Sequence, residues 1–489
     1  MNKIHQTEAK EVEILKYLDR LNNKWVQSEE IANKILISKT SVQKIVKNIK
    51  SRILDLGRPE ISIEVSTNKG VKFSRNPCFP LHKMVSEIYS CSFTYKLIDG
   101  IFNETISSLN LFSLKQYFSV ASIRRKIANI NEALASDEIY IRQNQFIGDE
   151  YSIRSFLFKY YWEIYKGIIW PFAQINRNQL FHFLDDYQKI SGITYSVISK
   201  EQICYFFGIS RIRSVKGHVI SSDSEIQQFA LSNPNFSGFR RSMDEYFPVS
   251  KFTEDEYYYF FYILHSFSFD TNAMNVEGMN AAWKDLSISK TVSFDLATRM
   301  MDEFDENLSC DIKVEDKIHL LLIHHEAHLL RCTNLSVSSN DYFSDLRNNF
   351  PNFYKIIYEQ ITKILSGFSD VKFDRKIILE GYTLFLYDTI DLRSFVKKIK
   401  IALHFSKGSL NEKKTAKKLQ IRYYDKWMFE FVSYGDEHDL LITDTQLVFK
   451  SSKMRFYLEE SFLTEKDYQF LEEIFENFVE EEINNSITI

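Results

Sequence analysis

Residues 28–54 read SEEIANKILISKTSVQKIVKNIKSRIL, and this stretch decides how the N-terminal part of the chain folds. It predicts a short helix from Ser28, a tight turn at residues 35–37, and a second helix that Ser38 caps. The apolar residues of the second helix recur at intervals of three and four, so they fall on one side. They are Val42, Ile45, Val46 and Ile49. This pattern is typical of a helix-turn-helix unit, whose second helix enters the major groove of DNA.

The outer face of the predicted second helix is basic and rich in polar side chains. Lysine neutralises phosphate, while amide and hydroxyl groups reach base edges in the major groove. The predicted DNA-contacting residues here are Lys39, Thr40, Ser41, Gln43, Lys44 and Lys47. A solvated helix face carries similar charges, so a protein scaffold that binds no DNA is one alternative.

A β-hairpin is predicted directly after that helix, in ISIEVSTNKGVKFS at residues 61–74. Its apolar residues alternate up to a turn at residues 68–70 and continue beyond it. A hairpin with a basic tip after a recognition helix forms a wing. We therefore expect Lys69 and Lys72 to lie against the phosphate backbone.

The helix-turn-helix pattern recurs at an offset of 81. Ser119 stands 81 positions after Ser38, and the same offset aligns Ile130 with Ile49. The second copy is LKQYFSVASIRRKIANINEAL at residues 114–134, and EIYIRQNQFIGDE after it predicts a second hairpin. The predicted DNA-contacting residues of this copy are Ser122, Arg124, Arg125 and Asn129.

The middle of the chain, residues 151–395, is predicted to form long helices rich in aromatic and aliphatic residues. SNPNFSGF at 232–239 aligns with NFPNFYKI at 349–356, which predicts two successive helical bundles. The stretch IHHEAHLL at 323–330 holds three of the eleven histidines.

The pair His324 and His328 has the i, i+4 spacing that can share a metal. The zincin motif H-E-x-x-H is not met, however, because His328 follows His325 by only three positions. A metal-dependent hydrolase using His324 and His328 is therefore only an alternative class. The sequence predicts no catalytic residue, no metal and no cofactor.

The last part of the chain, from residue 397, changes character. A strand, a polar helix, two strands and an acidic helix predict a small α/β domain with a parallel sheet. The loop SKGS at 406–409 follows the first strand, where such a domain holds an anion or a nucleophile.

Composition limits the class of protein. A chain of 489 residues is too long for one core, and 44% hydrophobic with 26% charged residues is a globular composition. The net charge is −4, but no Asp or Glu occurs from Lys34 to Arg52, which indicates a polyanion partner near the N-terminus. The five cysteines include no CxxC pair, and neither a secretory signal nor a membrane span is recognised. We expect a cytoplasmic protein without membrane contact.

With these parts in order, the chain resembles the Mga/AtxA family of transcriptional (virulence) regulators of Gram-positive bacteria, which contain phosphotransferase-system regulation domains (PRDs). The most specific stretches are FSVASIRRKIANINEAL at 118–134 and IGDEYSIRSFLFKYYWEIYKGIIWPF at 147–172. The resemblance implies a mainly α, multidomain chain. Its parts would be a winged helix-turn-helix domain at 1–75, a second, Mga-type helix-turn-helix domain at 76–165, PRD bundles at 166–283 and 284–396, and an α/β domain similar to enzyme IIB at 397–489.

The resemblance also implies partners and control. The partners would be double-stranded DNA, a second copy bound through the C-terminal half, the phosphocarrier protein HPr, and RNA polymerase. Control would come from phosphorylation of exposed histidines by the sugar phosphotransferase system. The candidates are His182, His265, His324 and His325. Phe405 and Ser406 stand where an active enzyme IIB has its cysteine, so a non-catalytic module and no enzymatic activity are expected.

Overall fold

The computed structural model describes residues 3–248, 252–308, 312–331, 351–367, 372–389, 398–424, 427–446, 452–460 and 462–486. They form two compact units. The first contains the described residues up to 307, 312–331 and 372–381, and the second contains 351–367 and the described residues from 382 onward. Each unit is described separately.

The first unit begins with a winged helix. Its elements are α1 (Gln6–Arg20), β1 (Trp25–Val26), α2 (Ser28–Ile35), α3 (Lys39–Leu56), β2 (Ile61–Ser66) and β3 (Gly70–Arg75). The strands pair antiparallel in the order β1-β3-β2, with Ser66 opposite Gly70 across the turn. The predicted helix-turn-helix and hairpin are confirmed, but β1 was not predicted. A Cβ at Gly70 would lie 2.1 Å from the Val26 carbonyl oxygen, so glycine at this position lets β1 join the wing.

A second winged helix follows. Its elements are α4 (His82–Ser90), α5 (Phe93–Phe102), α6 (Leu109–Gln116), α7 (Val120–Leu134), β4 (Tyr140–Arg142) and β5 (Gln145–Ile147). The predicted second hairpin is confirmed by the pairing of β4 with β5. Its tip consists of Gln143 and Asn144, both with positive φ, as two-residue hairpin turns require.

Helix α8 (Glu150–Tyr165) joins the winged helices to the helical bundle, and 13 of its 16 residues are buried. On one side the Tyr161 hydroxyl donates to Asp99 of α5 at 2.7 Å. On the other side the Phe158 ring lies 4.8 Å from that of Phe206, between ring centroids. A helix that is buried on nearly every face needs partners on all sides, and α8 has them in both neighbouring parts of the first unit.

The helices that follow are α9 (Arg177–Ser191), α10 (Val197–Val215), α11 (Ser224–Ser232), α12 (Phe236–Tyr246), α13 (Glu254–Leu264), α14 (Val276–Ser287), α15 (Val292–Leu308), α16 (Val314–Leu329), α17 (Pro351–Ser366) and α18 (Arg375–Thr389). Helices α10 and α16 begin at residues 197 and 314. Part of the matched stretch at 349–356 lies outside the described residues, and the division into two bundles stays a prediction. None of the described helices is long and apolar enough to cross a membrane.

The second unit contains a four-stranded parallel sheet. Besides α17 and the last part of α18, its elements are β6 (Lys398–His404), α19 (Ser409–Arg422), β7 (Met428–Val432), β8 (His438–Thr443), β9 (Ser452–Tyr457) and α20 (Glu465–Ser486). The strand order is β7-β6-β8-β9. Leu471 and Phe475 of α20 pack with the inner residues of β6 and β8. The predicted parallel α/β region is confirmed, and β9 is a fourth strand that was not predicted.

Candidate nucleic-acid interface

The turn of the first helix-turn-helix is built by backbone geometry at three successive residues. Leu36 ends α2 in the left-handed conformation with φ of 58°. The amide of Ile37 then donates to the carbonyl of Ala32 at 3.0 Å. The Ser38 hydroxyl accepts from the amide of Ser41 at 3.1 Å and so caps α3. These contacts fix the direction in which α3 leaves the turn.

The second helix-turn-helix repeats this geometry 81 positions later. Tyr117 ends α6 with φ of 58°, and the amide of Phe118 donates to the carbonyl of Ser113 at 3.1 Å. The Ser119 hydroxyl accepts from the amide of Ser122 at 3.1 Å. Leu36 and Tyr117, which sequence reasoning did not single out, are 87% and 96% exposed. Each helix-turn-helix therefore presents a large, exposed apolar residue in the turn before its second helix.

The exposed face of α3 carries most of the predicted DNA-contacting residues. The exposed ones are Lys39, Thr40, Gln43, Lys44 and Lys47, and Ser41 is half-buried. The Lys39 ammonium lies 2.9 Å from a carboxylate oxygen of Glu29, in a solvent-exposed ion pair. Within the part of the chain that the structure describes, Lys44 and Lys47 are in no ion pair.

The exposed face of α7 is shorter but also cationic. Arg124 and Arg125 are exposed, whereas Ser122 and Asn129 are half-buried. Neither arginine is ion-paired with any described residue. The hydroxyl of Ser122 lies 2.8 Å from that of Ser119, so it takes part in the cap. The cations of α7 are therefore available to a polyanion.

The two lysines of the wing differ in their surroundings. Lys69 is exposed at the tip, as predicted. Lys72 is half-buried, and its ammonium lies 2.6 Å from a carboxylate oxygen of Glu64, which faces it across the β2-β3 pair. The same ammonium stands 5.2 Å from the ring centroid of Trp25 in β1. Contact of Lys72 with the phosphate backbone stays a prediction, and in this structure these two neighbours hold its charge at the sheet.

Sequence reasoning missed Arg142, which flanks the tip of the second hairpin. Its side chain is exposed, and its guanidinium carbon lies 5.3 Å from the ring centroid of Tyr140. The sequence QNQ at 143–145 contains the two turn residues, so it could have identified Arg142 as the residue directly before the turn. Arg142 thus supplies the second wing with the basic residue that Lys69 supplies to the first.

Of the four candidate phosphorylation sites, only His182 on α9 is exposed. The relative exposure of His265, His324 and His325 is 0%, so the exposure that the expectation requires is not found there. The reason is aromatic packing: the His265 ring lies 4.5 Å from Phe261 and the His325 ring 4.9 Å from Phe229, between centroids. Burial lowers the pKa of His265 to about 4 and those of His324 and His325 to about 3.

His328 lies in a buried polar cluster. Its Nε2 is 3.2 Å from a carboxylate oxygen of Asp223, and its Nδ1 is 3.2 Å from the Tyr151 hydroxyl. Burial acts to raise the pKa of Asp223, but the contacts with His328 and Arg331 outweigh it and lower that pKa to about 2. Among the described residues, no three or more His, Cys, Asp and Glu side chains are grouped to hold a metal ion. The contacts of His328 are thus those of a residue that ties helices together.

The loop after β6, predicted as a place for an anion, is occupied by the protein's own carboxylates. The Ser406 amide and hydroxyl donate to the two oxygens of Asp444, each at 2.7 Å. The amide of Phe405 donates to Glu412 at 3.2 Å. The donors of this loop are thus paired with carboxylates of the protein itself.

Comparisons with known proteins agree with this geometry. Residues 78–161 match the family model of the Mga helix-turn-helix domain. The capsule synthesis positive regulator AcpB of Bacillus anthracis is 21% identical over 256 residues, 50% of this chain and 51% of that protein. The anthrax toxin expression trans-acting positive regulator of the same organism is 23% identical over 224 residues, 44% of this chain and 45% of that protein.

A third relative is the capsule synthesis positive regulator AcpA of Bacillus anthracis, 21% identical over 217 residues, 43% of this chain and 44% of that protein. The match spans about half the length of each relative. The resemblance to the Mga/AtxA family is confirmed by the family model and by these relatives, which are positive regulators.

Proposed function

We propose that this chain, with its Mga helix-turn-helix domain at residues 78–161, is a transcription regulator that binds double-stranded DNA through both helix-turn-helix units. The observation that supports this most is the repetition of one turn geometry at an offset of 81. Each copy is followed by a helix with an exposed cationic face.

Charge explains why these two helices are the contact surface. The whole chain carries a net charge of −4, so DNA attracts it only where cations are concentrated. Lys44, Lys47, Arg124 and Arg125 are exposed and are in no ion pair with the described residues. A phosphate contact therefore breaks no internal ion pair, and each one releases counterions from the DNA.

The test is binding of the full chain to an AT-rich duplex, measured by fluorescence anisotropy at a series of salt concentrations. Lys44→Gln and Arg125→Gln each remove one cation and keep an amide. Each lost phosphate contact is expected to reduce the slope of log K against log salt concentration by about 0.9, and the double variant by about twice that.

Lys284→Gln is the matched control, because Lys284 is an exposed lysine on α14 in the helical bundle. It is expected to bind as the wild type does. If the double variant kept the wild-type affinity and salt slope, the chain would be a scaffold whose basic helices are only solvated.

The metal-hydrolase alternative has a separate test. Elemental analysis of the purified chain would support it only if about one zinc per chain were found and lost in His324→Ala. The packing of His324 and His328 gives no reason to expect that result.

We further propose that the regulator is a homodimer formed through its C-terminal half, acts with RNA polymerase, and is controlled by phosphoryl transfer from HPr to His182. His182 is exposed on α9, one turn before Asp186. A phosphoryl group there adds roughly two negative charges beside that carboxylate. Such a charge favours a rearrangement of side chains on the surface of α9 and shifts the balance between monomer and dimer.

Incubation of the full chain with phosphorylated HPr tests this proposal. Wild type and His319→Ala, a half-buried histidine of α16, should be labelled, and His182→Ala should not. Sedimentation velocity of the labelled and unlabelled chain then measures the monomer–dimer balance. Equal labelling of wild type and His182→Ala would refute the assignment of His182.

A further inference from the structure

A pocket of about 330 Å³ opens in the first unit, where the start of α9, the second half of α10 and the end of α12 meet. This volume lies within the range of small-molecule sites, about 300 to 1,000 Å³. None of the predicted DNA-contacting residues or phosphorylation candidates lines it. The pocket therefore has no role in the function proposed so far.

The pocket is apolar at its floor and polar at its rim. Phe207 and Ile212 of α10 line the floor and are both 3% exposed. The ring of Phe247 stands beside Phe207 with 5.2 Å between centroids, so two aromatic faces border one space. Gln174 and Asn176 are exposed at the rim. A flat apolar group fits the floor, while a polar end would remain near the rim.

One cation stands in the wall of this pocket. The guanidinium of Arg211 is half-buried and packs over the ring of Phe252 at 5.2 Å. No carboxylate of the described residues is ion-paired with it. Glu256, the carboxylate whose charge acts on Arg211, is held by Arg154 in two bonds of 2.9 and 2.6 Å.

Removal from water disfavours a charge that lacks a partner. Consistently, burial lowers the pKa of Arg211. An arginine in a pocket presents several N–H donors in a plane, which match the two oxygens of a carboxylate or phosphate group. An anionic ligand would supply the paired negative charge that the neighbouring side chains do not give Arg211.

We propose that this pocket binds a small aromatic anion, whose carboxylate or phosphate group pairs with Arg211 and whose ring packs against Phe207 and Phe247. The pocket lies in the helical bundle that α8 joins to the winged helices. The binding itself does not depend on the proposed DNA-binding function.

Three probes test the ligand chemistry on the full chain by thermal shift and calorimetry. Benzoate and phenyl phosphate carry the anion, and benzyl alcohol is the neutral counterpart. We expect a saturable rise in Tm with benzoate, phenyl phosphate or both, and none with benzyl alcohol. Preference for one anion identifies the source as a carboxylate or a phosphate ester.

Two variants locate the site. Arg211→Gln removes the charge and should weaken binding at least about tenfold, the loss expected for a charge-assisted hydrogen bond. Val215→Trp fills the pocket from the rim, where Val215 is 65% exposed, and should also abolish binding while the chain stays folded. Arg241→Gln is the matched control, since Arg241 is an exposed arginine of α12 that does not line the pocket.

The proposal is overturned if neither anion gives a saturable shift, or if benzyl alcohol gives the same shift as the anions. It is also overturned if Arg211→Gln or Val215→Trp binds as tightly as the wild type. Because the readout is ligand binding, failure here leaves the DNA-binding test unaffected.

Discussion

Three histidines of the helical bundle are kept neutral by their surroundings. The Nδ1 of His325 is 2.8 Å from the carbonyl oxygen of His265, and the Nδ1 of His265 is 2.9 Å from that of Phe261. Burial lowers the pKa of all three, including His324, to about 3 or 4. A neutral ring donates one hydrogen bond to a carbonyl without the cost of a buried charge.

The stability of the first unit should therefore depend on pH. The folded-state pKa of each buried histidine lies below its unfolded value of about 6.5, so the unfolded chain takes up protons first as the pH falls. Stability is complete above about pH 6.5 and is lost progressively towards pH 3 to 4. At about pH 5 the loss is about 2 kcal/mol for each histidine. Tm measured between about pH 7.5 and 5 checks this.

His325→Gln should show a flatter pH dependence, whatever its stability at neutral pH. His182→Gln, at an exposed site, should keep the wild-type slope. A wild-type Tm that does not change over this interval would contradict the burial of these histidines.

A second residue-level prediction compares two arginines that hold a carboxylate in the same way. Arg154 and Glu256 are 0% exposed, whereas Arg240 and Glu254 are 42% and 54% exposed. Arg154→Gln leaves a buried carboxylate unpaired and should cost about 3 to 5 kcal/mol. Arg240→Gln should cost less than about 1 kcal/mol. Thermal unfolding of both variants gives the comparison, and equal losses would contradict it.

At the scale of elements, the sequence predicted the features that depend on local signals, and it missed those that depend on pairing between distant segments. Ser38 and Ser119 are cap residues that mark where α3 and α7 begin. The spacing of apolar residues in α3 and α7 identifies the buried side of each helix. The strand β1 has only two residues and pairs with Val71 and Lys72 of β3, more than forty positions away, so no local alternation reveals it. The burial of His265 likewise depends on Phe229 and His325, which only the tertiary fold brings near.

In the candidate interface, too, the features that depend on local signals were predictable and those that depend on distant pairing were not. The exposure of Lys44 and Arg125 could be predicted because helical periodicity fixes the side of the helix on which they lie. The pairing of Lys72 with Glu64 could not, since it depends on the register of β2 against β3. The division of the four histidines into one exposed and three buried was also beyond the sequence pattern.

The two cap serines should contribute equally, since each accepts a 3.1 Å bond from the amide three residues on. Ser38→Ala and Ser119→Ala should each destabilise their helix by about 1 kcal/mol. Amide hydrogen exchange at the first turn of α3 and of α7 measures the effect. Ser51→Ala, at an exposed position within α3, is the control and should leave exchange at that turn unchanged. Unchanged exchange in the cap variants would show that the serines do not hold these turns.

At the scale of the first unit, α8 connects parts that the sequence presents as separate domains. The Tyr160 hydroxyl lies 2.9 Å from Nε2 of His5, at the start of the first winged helix. Arg154 of the same helix holds Glu256 in the bundle. Two segments about 250 residues apart thus pack against one helix, so a disturbance of α8 should reach both.

Tyr161→Ala is expected to test this connection. It opens a cavity against α5, and removal of a large buried aromatic side chain costs about 3 to 5 kcal/mol. Hydrogen exchange should increase in α5 and also in α10, which packs on α8. Phe239→Ala, whose ring contacts lie within the bundle, should increase exchange there and not in α5. Unchanged exchange in α10 of Tyr161→Ala would mean that α8 does not couple the two parts.

The carboxylates of Asp444 and Glu412, which accept hydrogen bonds from the loop after β6, are a negative charge that the sequence itself encodes. They are present in each copy of the chain, unlike a bound anion, whose occupancy follows its concentration. The negative charge at this loop is therefore constant, and a substitution of Asp444 or Glu412 is what would change it.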